Sequence, residues 1–282
     1  MAGATTGAAT GSGRPRPRGP AEPAGPARSG GPVRALLLHG LGGRPSVWDR
    51  FAGPLTEAAG RLELWDVELP WLAMADAGWS HRADPVELLA EAVDEAVDER
   101  FDVLVAHSFS ACLLVEAFAR GRIRPRPTVL MNPFHRPNPD DFDWRTISYC
   151  LNEFHRTFAE ALEVGDTGRF SRAHRDWLAA KLRDQVGPYG WMRFFETYLR
   201  SPFLDLDAVR APVLVVSGER DIAAPAEDGR LLADRLPDGR YHLVEGGRHF
   251  PMVEQPDRIA RLVADFLHDT GVLRDTDVLH TS

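Results

Sequence analysis

One stretch constrains the fold more than any other: Val103-Leu104-Val105-Ala106-His107-Ser108-Phe109-Ser110-Ala111. The apolar run 101–105 reads as a buried strand. It stops at Ser108, and a small-residue, helix-compatible run follows at once, Ser110-Ala111-Cys112-Leu113-Leu114-Val115-Glu116-Ala117. A serine on so tight a corner is pushed past the strand end, where a base and a substrate can both reach it. Strand and helix come close there, so the residues two positions either side must be small. They are Ala106 and Ser110. The same residues also fit a plain helix N-cap at Ser108, and the rest of the chain has to separate the two readings.

The rest of the chain alternates strand and helix. Val33 to Leu38 is a short apolar strand ending in His39-Gly40-Leu41-Gly42-Gly43. Ser46 is placed to cap a helix over 47–59, with Trp48 and Phe51 inward. Residues 61–69 alternate as a second strand, and 70–83 form a loop holding Trp71 and Trp79. Asp84-Pro85-Val86-Glu87 is a helix start in which Asp84 caps and Glu87 can close a capping box. That helix extends to about Glu99, with Leu88, Leu89, Ala92 and Val93 on one face. Further strands are expected at 127–131, 212–216 and 240–244, and helices at 225–236 and 256–268. Such alternation implies an α/β fold, a mostly parallel sheet flanked by helices on both faces. Ligands in such sheets bind at the carboxyl ends of the strands.

Between the strands at 127–131 and 212–216 lies a span without strand signal, 135–208. Helical patches fall at 142–164, 171–182 and 191–199, and the span holds 13 of the 25 aromatic residues. We expect an inserted helical cap over the carboxyl edge of the sheet. Some rings form its own core; a share should face the cleft, which points to an apolar or aromatic substrate. Trp144, Trp191 and Phe250 are the candidates for substrate contact. The expected organisation is a core of 33–134 and 209–270, a cap of 135–208, a tail of 1–32 and a C-terminal tail of 271–282.

Composition excludes other classes. A net charge of −8 argues against nucleic-acid or anionic-membrane partners, and no apolar run approaches the roughly 18 residues of a membrane span. Two cysteines, Cys112 and Cys150, make no disulfide framework. Residues 1–31 have almost nothing apolar to bury and read as a disordered extension. They contain no apolar segment of a secretory signal, so a cytoplasmic location is expected. A single lysine, Lys181, among 33 basic residues fits a high-GC bacterial genome and carries no functional signal.

A serine hydroxyl needs a base to take its proton, and the base needs a third group to hold its tautomer and balance its charge. Both follow at later strand ends. The strand at 212–216 runs into Ser217-Gly218-Glu219-Arg220-Asp221, and the strand at 240–244 runs into Glu245-Gly246-Gly247-Arg248-His249-Phe250-Pro251. With HGLGG after the first strand, SGERD and GGRHFPMVEQPDRI, the chain resembles an α/β-hydrolase of the capped, single-domain kind over about 33–269. The chain departs from that family's G-x-S-x-G pattern, because Ala106 and Ser110 replace both glycines.

The resemblance implies residue roles. Ser108 would be the nucleophile, His249 the general base and then acid, and Asp221 the group that orients His249. The backbone N–H groups of Leu41 and Phe109 would form the oxyanion hole. Glu219 is the nearby rival acid, and Asp140 and Asp141 are outside candidates. His39 is expected to be structural and His107 to stand behind Ser108, while His135 and His155 are expected to be solvated or to touch substrate. No cluster has metal-ligand spacing and HGLGG lacks the Walker lysine, so neither metal nor cofactor is expected. Relatives with aspartate at this corner act on other bonds, whereas serine implies an acyl-enzyme route. The expected activity is hydrolysis of a carboxylic ester or thioester of a small-molecule substrate. A biosynthetic acyltransferase, a thioesterase or a carbon–carbon bond hydrolase of secondary metabolism is the alternative; a non-catalytic ligand-binding member is a third. The sequence leaves the oligomeric state open.

Overall fold

The structure, a computed structural model, describes residues 15–18, 32–71, 78–81, 84–94, 101–165 and 170–273. Its seven strands are β1 (Arg16–Pro17), β2 (Val33–Leu38), β3 (Leu62–Asp66), β4 (Val103–His107), β5 (Thr128–Met131), β6 (Val213–Gly218) and β7 (Gly239–Val244). They lie in the order β1-β3-β2-β4-β5-β6-β7. All neighbours pair in parallel except β1, which is antiparallel to β3. Period-2 alternation sends side chains to two separate cores. Leu36, Leu38, Leu104 and Ala106 face one way; Ala35, Leu37, Val103 and Val105 face the other.

The connections are filled by α1 (Asp49–Ala59), α2 (Gly78–His81), α3 (Pro85–Asp94), α4 (Phe109–Ala119), α5 (Trp144–Asn152), α6 (Arg156–Gly165), α7 (Arg172–Arg200), α8 (Ala226–Arg235), α9 (Pro251–Glu254) and α10 (Pro256–Asp269). Phe51 and Leu55 of α1 meet Ile259 and Val263 of α10 in one core, while α3, α4 and α8 contribute to the other. Among the described residues, none of these helices is long and apolar enough to cross a membrane.

The span between β5 and β6 holds α5, α6 and α7, with no strand among its described residues. Its rings Phe154, Phe158, Phe194 and Tyr198 belong to the same buried cluster as Leu38 and Ala106. The two helices expected at 171–182 and 191–199 are the halves of α7. They are broken at Gly187, whose φ of 72° and ψ of 164° no helix contains, followed by Pro188. The single helix expected over 142–164 is instead interrupted between Asn152 and Arg156, giving α5 and α6.

Several local expectations are corrected. Ser46 caps nothing: it lies in a short 3-10 turn, Pro45–Trp48, that precedes α1. Asp84 does cap α3, accepting from the Val86 N–H at 3.0 Å. Glu87, however, turns to Arg122 rather than closing a box. The expected end of that helix, 95–99, lies outside the described residues. Within the tail expected to be without structure, Arg16 and Pro17 extend the sheet edge. Arg18 anchors them by pairing with Asp66 and with Asp49. Composition alone misses this, because one guanidinium between two carboxylates can dock a segment that has no apolar residue. The rest of that tail, and 274–282, lie outside the described residues.

Two buried polar clusters tie α7 to the sheet layer. Glu116 of α4, 1% exposed, pairs with Arg120 and with Arg200 at the end of α7. Asp228 of α8 is fully buried, and its Oδ2 accepts from the Tyr198 hydroxyl at 2.7 Å and from the His135 N–H at 3.3 Å. Burial, only partly opposed by the Arg136 charge, pushes the Asp228 carboxyl up to about 6. The folded chain thus holds this proton more tightly than the unfolded chain does. Wild type therefore loses stability through this group as pH rises from about 4 to about 6. Urea unfolding of Asp228→Asn across that window should show a shallower fall than wild type.

Candidate active site

β4 ends at His107 and α4 begins at Phe109, which leaves Ser108 alone at the corner with φ 54° and ψ −120°. A non-glycine residue in that region costs about 1–3 kcal/mol and persists only where its surroundings over-determine it. Here they do. The Ser108 N–H donates to the Met131 carbonyl at 2.9 Å, and its own carbonyl accepts from Ala111 and Cys112. Gly40 runs so close that a Cβ there would stand 3.0 Å from the Ser108 Cβ. Ser108 occupies the N-cap position of α4, yet its side chain makes no capping bond. Its Oγ instead donates to His249 Nε2 at 3.0 Å.

His249 Nδ1–H donates to Asp221 Oδ2 at 2.7 Å. A hydroxyl thus meets an imidazole and a carboxylate that lie more than a hundred positions further along the chain, and the three form one relay at the carboxyl ends of β4, β6 and β7. Both Asp221 and His249 have almost no side-chain exposure. Burial opposes charge on Asp221, but several partners outweigh it and hold the carboxyl below the usual range. They are His249, the Asn132 amide and the backbone N–H of Ala224. Asp221 Oδ1 accepts from the Ala223 and Ala224 amides at 2.7 and 3.0 Å, and Oδ2 accepts a short bond from Asn132 Nδ2. Such a relay can move the serine proton to the imidazole and stabilise the resulting charge.

A second network fixes the loop after β2. Leu69 N–H donates to His39 Nε2 at 3.0 Å, so the ring carries its proton on Nδ1, which donates to the Gly40 carbonyl. Burial lowers the His39 pKa to about 4, and it is structural, as expected. Ser110, standing where the family pattern has glycine, donates to the His39 carbonyl at 2.5 Å and accepts from the Trp71 indole at 2.9 Å. The backbone N–H groups of Leu41 and Phe109 have no hydrogen-bond partner among the described residues. His107 donates through Nε2 to the His249 carbonyl at 2.8 Å, and burial, with the adjacent His249, lowers its pKa to about 3. It supports the His249 backbone from behind.

Beside Ser108 lies a cavity of about 30 Å³. Its walls include Leu41, Phe154, Thr157, Phe158, Phe194 and Phe250, with Ser108 and His249. Of the three residues expected to contact substrate, Phe250 alone lines it. Trp144 is 84% exposed at the start of α5. Trp191 is buried, donates its indole N–H to the Cys150 carbonyl, and faces a different hollow with Leu151 and Met192. Phe194, nearly one turn beyond Trp191 on α7, is the ring that reaches the cavity.

Other candidates also separate. Glu219 is exposed and accepts from the Gly246 N–H, while Asp141 closes a capping box with Asn138, and exposed Asp140 lies in the same short turn. His135, expected to be solvated or to touch substrate, is 1% exposed and lines no part of this cavity. His155 lines the hollow beside Trp191. Cys112 is a buried core thiol, pushed up to about 12 by burial. No group of His, Cys, Asp and Glu among the described residues could hold a metal. Sequence reasoning missed Asn132, whose position directly after β5 was the available signal. It also missed Thr157, Phe158 and Phe154, for which helix 142–164 gave no phase.

A family model described as "Alpha/beta hydrolase family" matches residues 35–262. Proline iminopeptidase from Clostridioides difficile (strain 630) is 28% identical over 87 residues, 30% of this chain and 27% of that protein. The aligned stretch therefore spans about a quarter of that relative's length. The crystal structure of a bromoperoxidase from Bacillus anthracis superposes with a TM-score of 0.65 at 19% identity, over 85% of this chain and 93% of that one. An enol-lactonase from Burkholderia xenovorans LB400 gives 0.56 at 20% identity, over 90% and 96%. At these identities the structural likeness is one of fold.

The strand ends are packed tightly enough to test. A Cβ on Gly218 would overlap the Arg248 carbonyl, one residue before His249. Gly218→Ala should cost about 1–3 kcal/mol in urea unfolding. It should also slow fluorophosphonate labelling of Ser108 by up to about a hundredfold, because a shift of about 1 Å in the imidazole disrupts the relay.

Proposed function

The chain belongs to the alpha/beta hydrolase family, and from that premise we propose that it is a serine hydrolase. Its reaction is cleavage of a carboxylic ester or thioester of a small, apolar or aromatic substrate through an acyl-enzyme. The observation that carries this reading is the unbroken chain of bonds from Ser108 Oγ to His249 Nε2 and from His249 Nδ1 to Asp221 Oδ2, at 3.0 and 2.7 Å. Ser108 Oγ attacks the carbonyl carbon as His249 takes its proton. Asp221 stays ionised, holds the Nδ1–H tautomer and balances the imidazolium. The unpaired amides of Leu41 and Phe109 receive the oxyanion, and the Phe109 amide adds the positive end of α4. The imidazolium then protonates the leaving alcohol or thiol. A water, deprotonated by the same ring, releases the acid.

Helices α5–α7 act as a cap in this reading. Phe154 and Phe158, together with Phe194, put apolar surface against the reacting carbonyl, which supports an apolar acyl or alcohol part. A cavity of about 30 Å³ holds a water or two. A drug-sized substrate does not fit that space, so in this reading its entry requires these helices to move outward.

Two measurements test the assignment. A fluorophosphonate should form a single adduct, mapped to Ser108, and Ser108→Ala should lower turnover of a p-nitrophenyl ester by at least about a thousandfold. Labelling elsewhere, or turnover surviving in Ser108→Ala, would exclude it.

A further inference from the structure

Of the two side-chain hydroxyls on the cavity wall, one has no hydrogen-bond partner among the described residues. Ser108 and His249 are bonded to each other. Thr157, in the first turn of α6, lines the same cavity, is 2% exposed, and its Oγ1 has no hydrogen-bond partner among the described residues. A threonine within a helix usually satisfies its hydroxyl by donating to the carbonyl four residues back. Thr56, Thr197 and Thr270 all do so, at 3.0, 2.9 and 2.9 Å. Thr157 makes no such bond: Glu153, four residues back, lies in the turn before α6, outside the helix. Its neighbours on the wall, Phe154, Phe158 and Phe194, offer only rings. A buried hydroxyl left unpaired beside a reacting serine is a donor and acceptor waiting for a partner, and valine would fill the same space without the penalty.

We propose that the Thr157 hydroxyl is the polar recognition point for substrate. It pairs with one ether, carbonyl or hydroxyl oxygen carried a few atoms from the scissile carbonyl, on an otherwise apolar acyl or alcohol chain. The proposal rests on the serine-hydrolase reading above and narrows its substrate class, from any small apolar ester to an oxygen-bearing one. A site with a hydroxyl placed for pairing rejects the analogue that lacks the partner, whereas an all-apolar pocket discriminates poorly.

Matched esters that exchange one CH₂ for oxygen test it. p-Nitrophenyl methoxyacetate against p-nitrophenyl butyrate places the oxygen on the acyl side. 2-Methoxyethyl acetate against butyl acetate places it on the alcohol side. In each pair the ratio of kcat/KM, oxygen over carbon, is compared between wild type and variant, which cancels intrinsic reactivity. In Thr157→Val the ratio for at least one pair should fall about tenfold, and Thr157→Ser should restore it. Ratios within about twofold of wild type for both pairs would overturn the proposal while leaving the hydrolase reading intact. Turnover that persists in Ser108→Ala would overturn both.

Discussion

The structure depends on one forced backbone conformation, that of Ser108. With φ at 54° the residue stands outside the regions that side-chain-bearing residues normally occupy, and that is what lifts its hydroxyl clear of both strand and helix. The strain is held by the centre of the sheet. β4 is buried along its length and hydrogen-bonded on both sides, to β2 and to β5. α4, nearly fully buried, pulls the chain away in the other direction. Ala106 before the corner and Gly40 across from it leave the turn room to close. A loop could not maintain such a conformation; a seven-stranded sheet can.

Around that corner the electrostatics are arranged in depth. Asp221 is kept ionised although buried, because four donors converge on its two oxygens: one imidazole, one side-chain amide and two backbone amides. His39 and His107, the other two buried imidazoles of the site, are driven neutral by desolvation. Each uses its ring nitrogens to fix backbone, one the loop after β2 and the other the loop carrying His249. Three histidines within one site therefore divide between one that can take a proton and two that act as neutral struts.

Much of this was legible in the sequence. Apolar runs marked the central strands, and the polar residues just beyond their ends marked Ser108, Asp221 and His249, since a parallel sheet presents those ends on one rim. Legibility failed where phase or partner mattered more than pattern. Size and aromatic character single out Trp144 and Trp191. The break between α5 and α6 and the kink at Gly187 decide instead that Phe154, Phe158 and Phe194 face the cavity. Asn132 and Thr157 are single polar residues with no periodicity to announce them. Arg18 docks its segment through two carboxylates that lie 31 and 48 residues away, a pairing that composition does not reveal.

Ser110 shows how a departure from a sequence pattern becomes a coupling. Where the family pattern has glycine, this chain has a hydroxyl that bridges the His39 carbonyl and the Trp71 indole. The Trp71 carbonyl in turn accepts from the Gly42 N–H. The segment bearing Trp71 and the loop bearing Leu41 are thus fastened together as one body, with Trp71 packed on Trp79 and Phe109 rather than on the cavity. Distance from the void is therefore a poor guide to influence in this molecule: an indole outside the cavity wall holds the backbone of a loop that forms part of it.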